Sequence, residues 1–72
     1  MKITHDASVD AAYIFLVADI GVGGVARTVP VDACEIDGMI NLDFDVAGRM
    51  VGIEVIGASR FLSPELLALA KP

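Results

Sequence analysis

From Met39 to Ile56 the chain alternates apolar and polar residues, turns once, and alternates again, which is the pattern of an antiparallel hairpin. Ile40, Leu42 and Phe44 fall on one face of the outgoing strand, with Asn41, Asp43 and Asp45 on the other. Val46-Ala47-Gly48-Arg49 makes the turn, and Met50 to Ile56 returns with Val51, Ile53 and Val55 on one face. A four-residue loop sets Asp45 against Met50, Phe44 against Val51, Leu42 against Ile53 and Ile40 against Val55. Each inward pair is a cross-strand hydrophobic contact of roughly 0.2–1 kcal/mol. A slip by one residue would bury Asn41, Asp43 and Asp45 together, so the register is strongly specified.

The rest of the chain is arranged around this hairpin. Lys2 to His5 forms a short first strand, closed by the polar turn Asp6-Ala7-Ser8. Asp10 to Ala18 reads as a second strand with Tyr13, Phe15 and Val17 on one face and Ile14 and Leu16 on the other. Both faces are apolar, so both are expected to be covered. Gly21-Val22-Gly23-Gly24 is a turn, and Val25 to Val31 a third strand whose Pro30 marks it as an edge. Asp32 to Gly38 is an irregular connection carrying Cys34. Ser63-Pro64-Glu65 opens a helix: serine accepts from first-turn amides, proline suits the first helical position, and an acid complements the positive dipole end. Phe61, Leu62, Leu66, Leu67, Leu69 and Ala70 give it an apolar side that must dock on the sheet, because so short a helix does not stand alone. The fold class is α+β, a small antiparallel sheet of about five short strands, meander-like, with a short C-terminal helix packed on one face. Residues 1–72 make a single domain.

Size and composition then raise the question of stability. A chain of 72 residues buries only about 60 % of the surface its unfolded form exposes. Small domains compensate with disulfides, a metal or a second subunit. One cysteine and one histidine exclude an internal disulfide and a Cys/His zinc site within a chain, which leaves association. The hydrophobic fraction of 56 % exceeds what so small an interior can hide, and the surplus is expected to surface as a contact patch. A homo-oligomer is the expectation, a dimer the favoured form. The longest uncharged run inside an element, Ala11 to Ala18, is far short of the roughly 20 residues of a spanning helix, so no membrane partner is expected. The opening Met1-Lys2-Ile3-Thr4-His5-Asp6 lacks the apolar core of a secretion signal, and a cytoplasmic, bacterial location is expected, where a free cysteine is stable. The net charge is −5, and the bases Lys2, Arg27, Arg49, Arg60 and Lys71 are scattered, so direct nucleic-acid binding is not expected.

One pattern suggests metal chemistry. Asp43-x-Asp45-x-Ala47-Gly48-x5-Glu54 matches much of the calcium-loop template, with acids at positions 1, 3 and 12 and glycine at 6. Ala47 removes an oxygen at position 5, however, and no helix flanks the loop. The extended segment Arg49 to Glu54 carries Glu54 roughly 15 Å from the turn at about 3.3 Å per residue, too far to wrap an ion. The hairpin reading prevails, and Asp43, Asp45, Glu54 and Asn41 become an outward strip able to meet a partner. His5 and Cys34 do not make a nucleophile and base, since Asp32 and Glu35 around the cysteine disfavour a thiolate. The glycine turn lacks the lysine and helix start of a phosphate loop. Tyr13 is expected to pack with its hydroxyl at the rim.

The segment Ile40 to Ile56, with Asp43-Phe44-Asp45, turn glycine Gly48, Arg49 and Gly52-Ile53-Glu54, resembles the signature of a small bacterial family known as domain of unknown function 2283. His5-Asp6 and Asp10-Ala11-Ala12-Tyr13-Ile14 resemble the family's opening, although His5 replaces its usual tyrosine. Ala58-Ser59 is similar to its short polar close, and Ala47 departs from its acidic or polar turn residue. The resemblance implies a strand-rich domain of unassigned function, and a similarity to small proteins encoded beside toxin-like partners implies an antitoxin-like or regulatory role. The expected function is a non-enzymatic, self-associating protein-interaction module with no catalytic residue, cofactor or metal assigned. The alternative is a small ligand- or metal-binding domain using the acidic strip.

Overall fold

The returning strand of the hairpin, β5 (Met50–Ile56), lies at the centre of a five-stranded antiparallel sheet. The computed structural model describes residues 2–32 and 34–70, so Lys71, one of the scattered bases, and Ala33, beside Cys34, lie outside it. The other strands are β1 (Lys2–Asp6), β2 (Ala11–Phe15), β3 (Arg27–Pro30) and β4 (Met39–Phe44), in the order β1-β2-β5-β4-β3. A hairpin, β1–β2, and a meander, β3–β4–β5, are thus joined where β2 pairs with β5. Two single-turn helices follow, α1 (Ala58–Phe61) and α2 (Pro64–Leu67), where the sequence suggests one. Leu62 between them is extended, and Ser63 restarts the helix, its Oγ accepting from the Leu66 amide at 3.1 Å. No helix among the described residues is long and apolar enough to cross a membrane.

The hairpin register holds over most of its length, with Ile40 opposite Val55, Asn41 opposite Glu54, Leu42 opposite Ile53 and Asp43 opposite Gly52. It breaks next to the turn. Phe44 faces Met50, not Val51, because Val51 is an extra residue that bulges β5. The loop is also shorter than four residues: the Asp45 amide donates to the Arg49 carbonyl at 2.8 Å, so Asp45 lies across from Arg49 instead of Met50. Gly48, at φ 82°, supplies the left-handed residue that lets three residues close the turn. The second strand is also shorter than Asp10 to Ala18. Asp10 sits at φ 52° in the preceding turn, and after Phe15 only the Leu16 amide still reaches β5, at the Val51 carbonyl.

Residues directly opposite in an antiparallel pair share a face. One face therefore carries Ile3, Ala12, Ile14, Ile53, Val55, Ile40, Leu42 and Val29. On it Ile3, Ala12, Val55 and Ala58 form the buried cluster, packed by Ile14, Ile53, Phe61, Leu62, Leu66, Leu67 and Ala70. The helical segment covers this face alone, so the opposite side of β2, with Tyr13 and Phe15, carries no helix. The expectation that both sides of this strand would be covered is not met within one chain.

Both edges of the sheet are guarded. The bonds from Leu16 N–H to Val51 O and from Gly57 N–H to Asp10 O aim the even-numbered groups of β2 at β5. Alternation then turns the backbone of Ile3 and His5 outward on β1. Ile3 is nevertheless only 2 % exposed, so that edge is screened at its middle. On the far edge, the Val31 amide donates to the Ile40 carbonyl, which turns Pro30 outward, where its missing N–H leaves no gap in the ladder.

Candidate functional site

The helix-free face of the sheet gathers the polar residues of the hairpin around the one tyrosine. Register places Thr4, Tyr13, Glu54 and Asn41 in one row, and Lys2, Phe15, Gly52, Asp43 and Thr28 in the next. Tyr13 does not stay in its own row. Its ring lies diagonally over Gly52 on the central strand, and its hydroxyl donates to Asp43 Oδ2 at 2.7 Å. A Cβ at position 52 would overlap the phenol ring and its oxygen, so this crossing requires glycine. Thr28 Oγ1 donates to the other Asp43 oxygen at 2.6 Å, which links β2, β4 and β3 through one carboxylate. Asn41 Nδ2 donates to Glu54 Oε1 at 2.9 Å beside it.

Partial burial, the bond to Asp43 and the nearby charges of Asp43 and Glu54 together push the Tyr13 hydroxyl above its ordinary pKa. Phe15 meets the Tyr13 ring edge-on, with centroids 4.9 Å apart and planes at 70°. Lys2 places its ammonium 4.3 Å from the Phe15 ring centroid. Beside Tyr13 and Glu54 opens a shallow groove of about 550 Å³, walled by Thr4, Asp6, Ala7 and Ala11.

Of the four residues in the sequence-derived strip, Asn41, Asp43 and Glu54 do share this face. Asp45 does not join them. Its Oδ1 accepts from the Ala47 and Arg49 amides, both at 2.9 Å, so it braces the turn. Among the described residues no three His, Cys, Asp or Glu side chains converge as a metal ion would require. The calcium-like spacing is the spacing of a braced turn followed by a strand. Tyr13 lies further in than a rim position, with its hydroxyl bonded to Asp43 across the central strand.

A second polar cluster escaped the reading of the sequence. Asp10 Oδ1 bonds His5 Nε2 at 2.9 Å, while Oδ2 accepts from Ser59 Oγ at 2.7 Å and the Ser59 amide lies 3.1 Å from Oδ1. The Asp10 carbonyl also accepts from the Gly57 and Ala58 amides, at 2.9 and 3.0 Å. One residue in a left-handed turn thereby clamps the start of α1 to the β1–β2 hairpin. These bonds, Ser59 first and then His5, hold the Asp10 carboxyl below its ordinary pKa. A serine and a histidine on one aspartate suggest hydrolytic chemistry only by composition. A nucleophile relay needs the imidazole between the other two, and here the carboxylate is in the middle. His5 is engaged in this clamp, and Cys34 lies exposed in the connection before β4. The signal available in the sequence was that Asp10 and Ser59 both belong to the segments that carry the family resemblance.

The model of a family described as Protein of unknown function (DUF2283) matches residues 2–59, a span that runs from β1 into α1 and includes both clusters. No curated protein and no solved structure matches the chain.

Proposed function

This chain belongs to the DUF2283 family of proteins of unknown function, and we propose that it works as a non-enzymatic, self-associating protein-interaction module in the bacterial cytoplasm. The observation that carries this reading is the uneven core. The residues buried in it are Ile3, Ala12, Val51, Val55 and Ala58, on β1, β2, β5 and α1. β3 and β4 contribute none, although Val29, Ile40, Leu42 and Phe44 are apolar, half-buried and on the helix-side face with the core. Half of one sheet face is thus apolar and only half-buried, in a domain whose size leaves little stability to spare. The polar side chains of the other face favour recognition over chemistry. Asp43 and Glu54 are both engaged by neutral donors, and the His5 ring, which lines the same groove as Glu54, is bonded to Asp10.

A dimer is the simplest assembly that would complete the burial of that half, and closed two-fold pairs are the commonest oligomers. A regulatory or antitoxin-like role would draw on the same property, with a partner protein displacing the second copy. Light scattering coupled to size exclusion at micromolar concentration tests the reading. The expected mass is that of two 7.5 kDa chains, and a strict monomer up to the highest soluble concentration would overturn it.

A further inference from the structure

We infer that the groove beside Tyr13 receives a basic side chain of a partner protein, arginine before lysine, with Glu54 as its counter-ion. This goes beyond self-association, because the groove is complete within one chain. Two side chains create the groove. On the helix-free face the row next to Tyr13 holds Asp6, Ala11 and Ile56. Tyr13 leans the other way, over Gly52, which pairs with Phe15. Its ring thereby leaves the space above Ala11, whose methyl is too small to fill it. The resulting hollow of about 550 Å³ is walled by Thr4 and Asp6 of β1 and by Tyr13 and Glu54.

The charge of this hollow is uncompensated. Glu54 Oε1 accepts from Asn41 at 2.9 Å, and the other Glu54 oxygen has no donor among the described residues. Glu54 is half-buried, yet among the described residues no buried side-chain oxygen or nitrogen lacks a partner. The second oxygen therefore reaches solvent, and the opening that Glu54 lines is this groove. Among the described residues the ion pairs join His5 to Asp10 and Arg60 to Asp37, so neither Glu54 nor Asp6 has a cation. Lys2, a base on the same face, rests its ammonium against the Phe15 ring instead. A carboxylate at the wall of a hollow floored by alanine favours a cation that brings its own aliphatic stem. A guanidinium is less strongly hydrated than an ammonium, so it gives up water to such a site at lower cost. The groove is too shallow to enclose a free ligand, which ordinarily buries roughly 70–90 % of its surface. A side chain standing on a partner's surface needs no such enclosure, since the partner covers the rest.

Acetyl-arginine amide, titrated into isotope-labelled protein and followed by amide NMR, tests the site against its neutral isostere acetyl-citrulline amide. Saturable shifts at millimolar arginine probe are expected at Thr4, Ala11, Tyr13 and Glu54, with the citrulline probe at least about tenfold weaker. Glu54→Gln keeps an oxygen for Asn41 but removes the charge, and should weaken the arginine probe by about tenfold or more. Ala11→Leu keeps every charge but fills the floor, and should weaken it to a similar degree. Circular dichroism reports whether each variant is folded; should neither fold, the comparison of the two probes on the parent decides. Absence of saturable shifts, equal binding of the citrulline probe, or shifts spread evenly over the exposed acids Asp19, Asp32 and Glu35 would overturn the inference. An arginine probe indifferent to Ala11→Leu would also overturn it, since Glu54 would then attract cations without the groove. Tighter binding of the corresponding lysine amide would reverse the order of preference. Light scattering reads self-association separately, so a failure here and a failure there are distinguishable.

Discussion

Tyr13 and Asp43 stand two strands apart, on β2 and β4, yet their side chains meet at 2.7 Å across the glycine of the strand between them. The bond to a carboxylate and the partial burial both favour the protonated phenol. As the chain has one tyrosine, near-ultraviolet absorbance titrates this group alone. Its midpoint should lie above the ordinary value of about 10 in the folded protein and return there in denaturant. The raised folded value makes the contribution to stability complete below about pH 10 and lost as pH rises through the folded pKa. Tyr13→Phe should cost about 1 kcal/mol at neutral pH by chemical denaturation and abolish that alkaline dependence.

The crossing predicts a coupling between Tyr13 and Gly52. A methyl at position 52 meets the phenol ring, so Gly52→Ala should destabilise the fold by about 1–3 kcal/mol. In a Tyr13→Ala background the same substitution should cost much less, because the overlapping ring is gone. Equal costs in the two backgrounds would disprove the contact, and a double-mutant cycle on urea unfolding measures the difference.

Acid stability should depend on Asp10. Its folded pKa is depressed, so its contribution is complete above the ordinary carboxylate value near 4 and drains away as pH falls through the lower folded value. Asp10→Asn tolerates the left-handed turn and removes the charge. It should lower stability at neutral pH and flatten the fall below about pH 4. Part of that fall should persist, because bonds from Ser8 also depress the Asp6 carboxyl. Unfolding midpoints across the acid range decide the matter.

The β4–β5 turn should be sensitive at two residues for different reasons. Gly48→Ala forces a side chain into a left-handed conformation and should cost about 1–2 kcal/mol. Asp45→Ala leaves the Ala47 and Arg49 amides without their acceptor and should cost about 1 kcal/mol. If Asp45 serves the turn and not an ion, millimolar calcium will raise the melting temperature of neither the parent nor Asp45→Ala.

How much of this is legible in the sequence depends on how far apart the partners lie in the chain. The pairs Leu42–Ile53, Ile40–Val55 and Asn41–Glu54 followed from alternation, since one wrong step would bury two aspartates and an asparagine. The bulge at Val51 did not, because Met50 and Val51 are both apolar and hydropathy cannot tell which of them is the extra residue. Alternation also put Asn41, Asp43 and Glu54 on one face, as the register has them. It did not show that the Asp45 side chain turns back onto its own loop. Tyr13 reaching Asp43 spans 30 residues, and Asp10 reaching Ser59 spans 49. Neither contact leaves a periodic trace. The pairing of β2 with β5 is equally silent, since nothing local distinguishes it from a simple meander.

The central place of β5 also bears on how the molecule acquires its structure. β5 is the last strand in sequence, yet it alone joins the β1–β2 hairpin to β4 and β3. An isolated two-stranded hairpin is marginal in water, so the amino-terminal third has nothing to hold it until β5 arrives. The buried cluster likewise needs both parts, Ile3 and Ala12 from the hairpin and Val55 and Ala58 from the end of the chain. Loop closure across the whole sheet must precede most of its hydrophobic gain, which makes one slow, cooperative transition the expected folding behaviour.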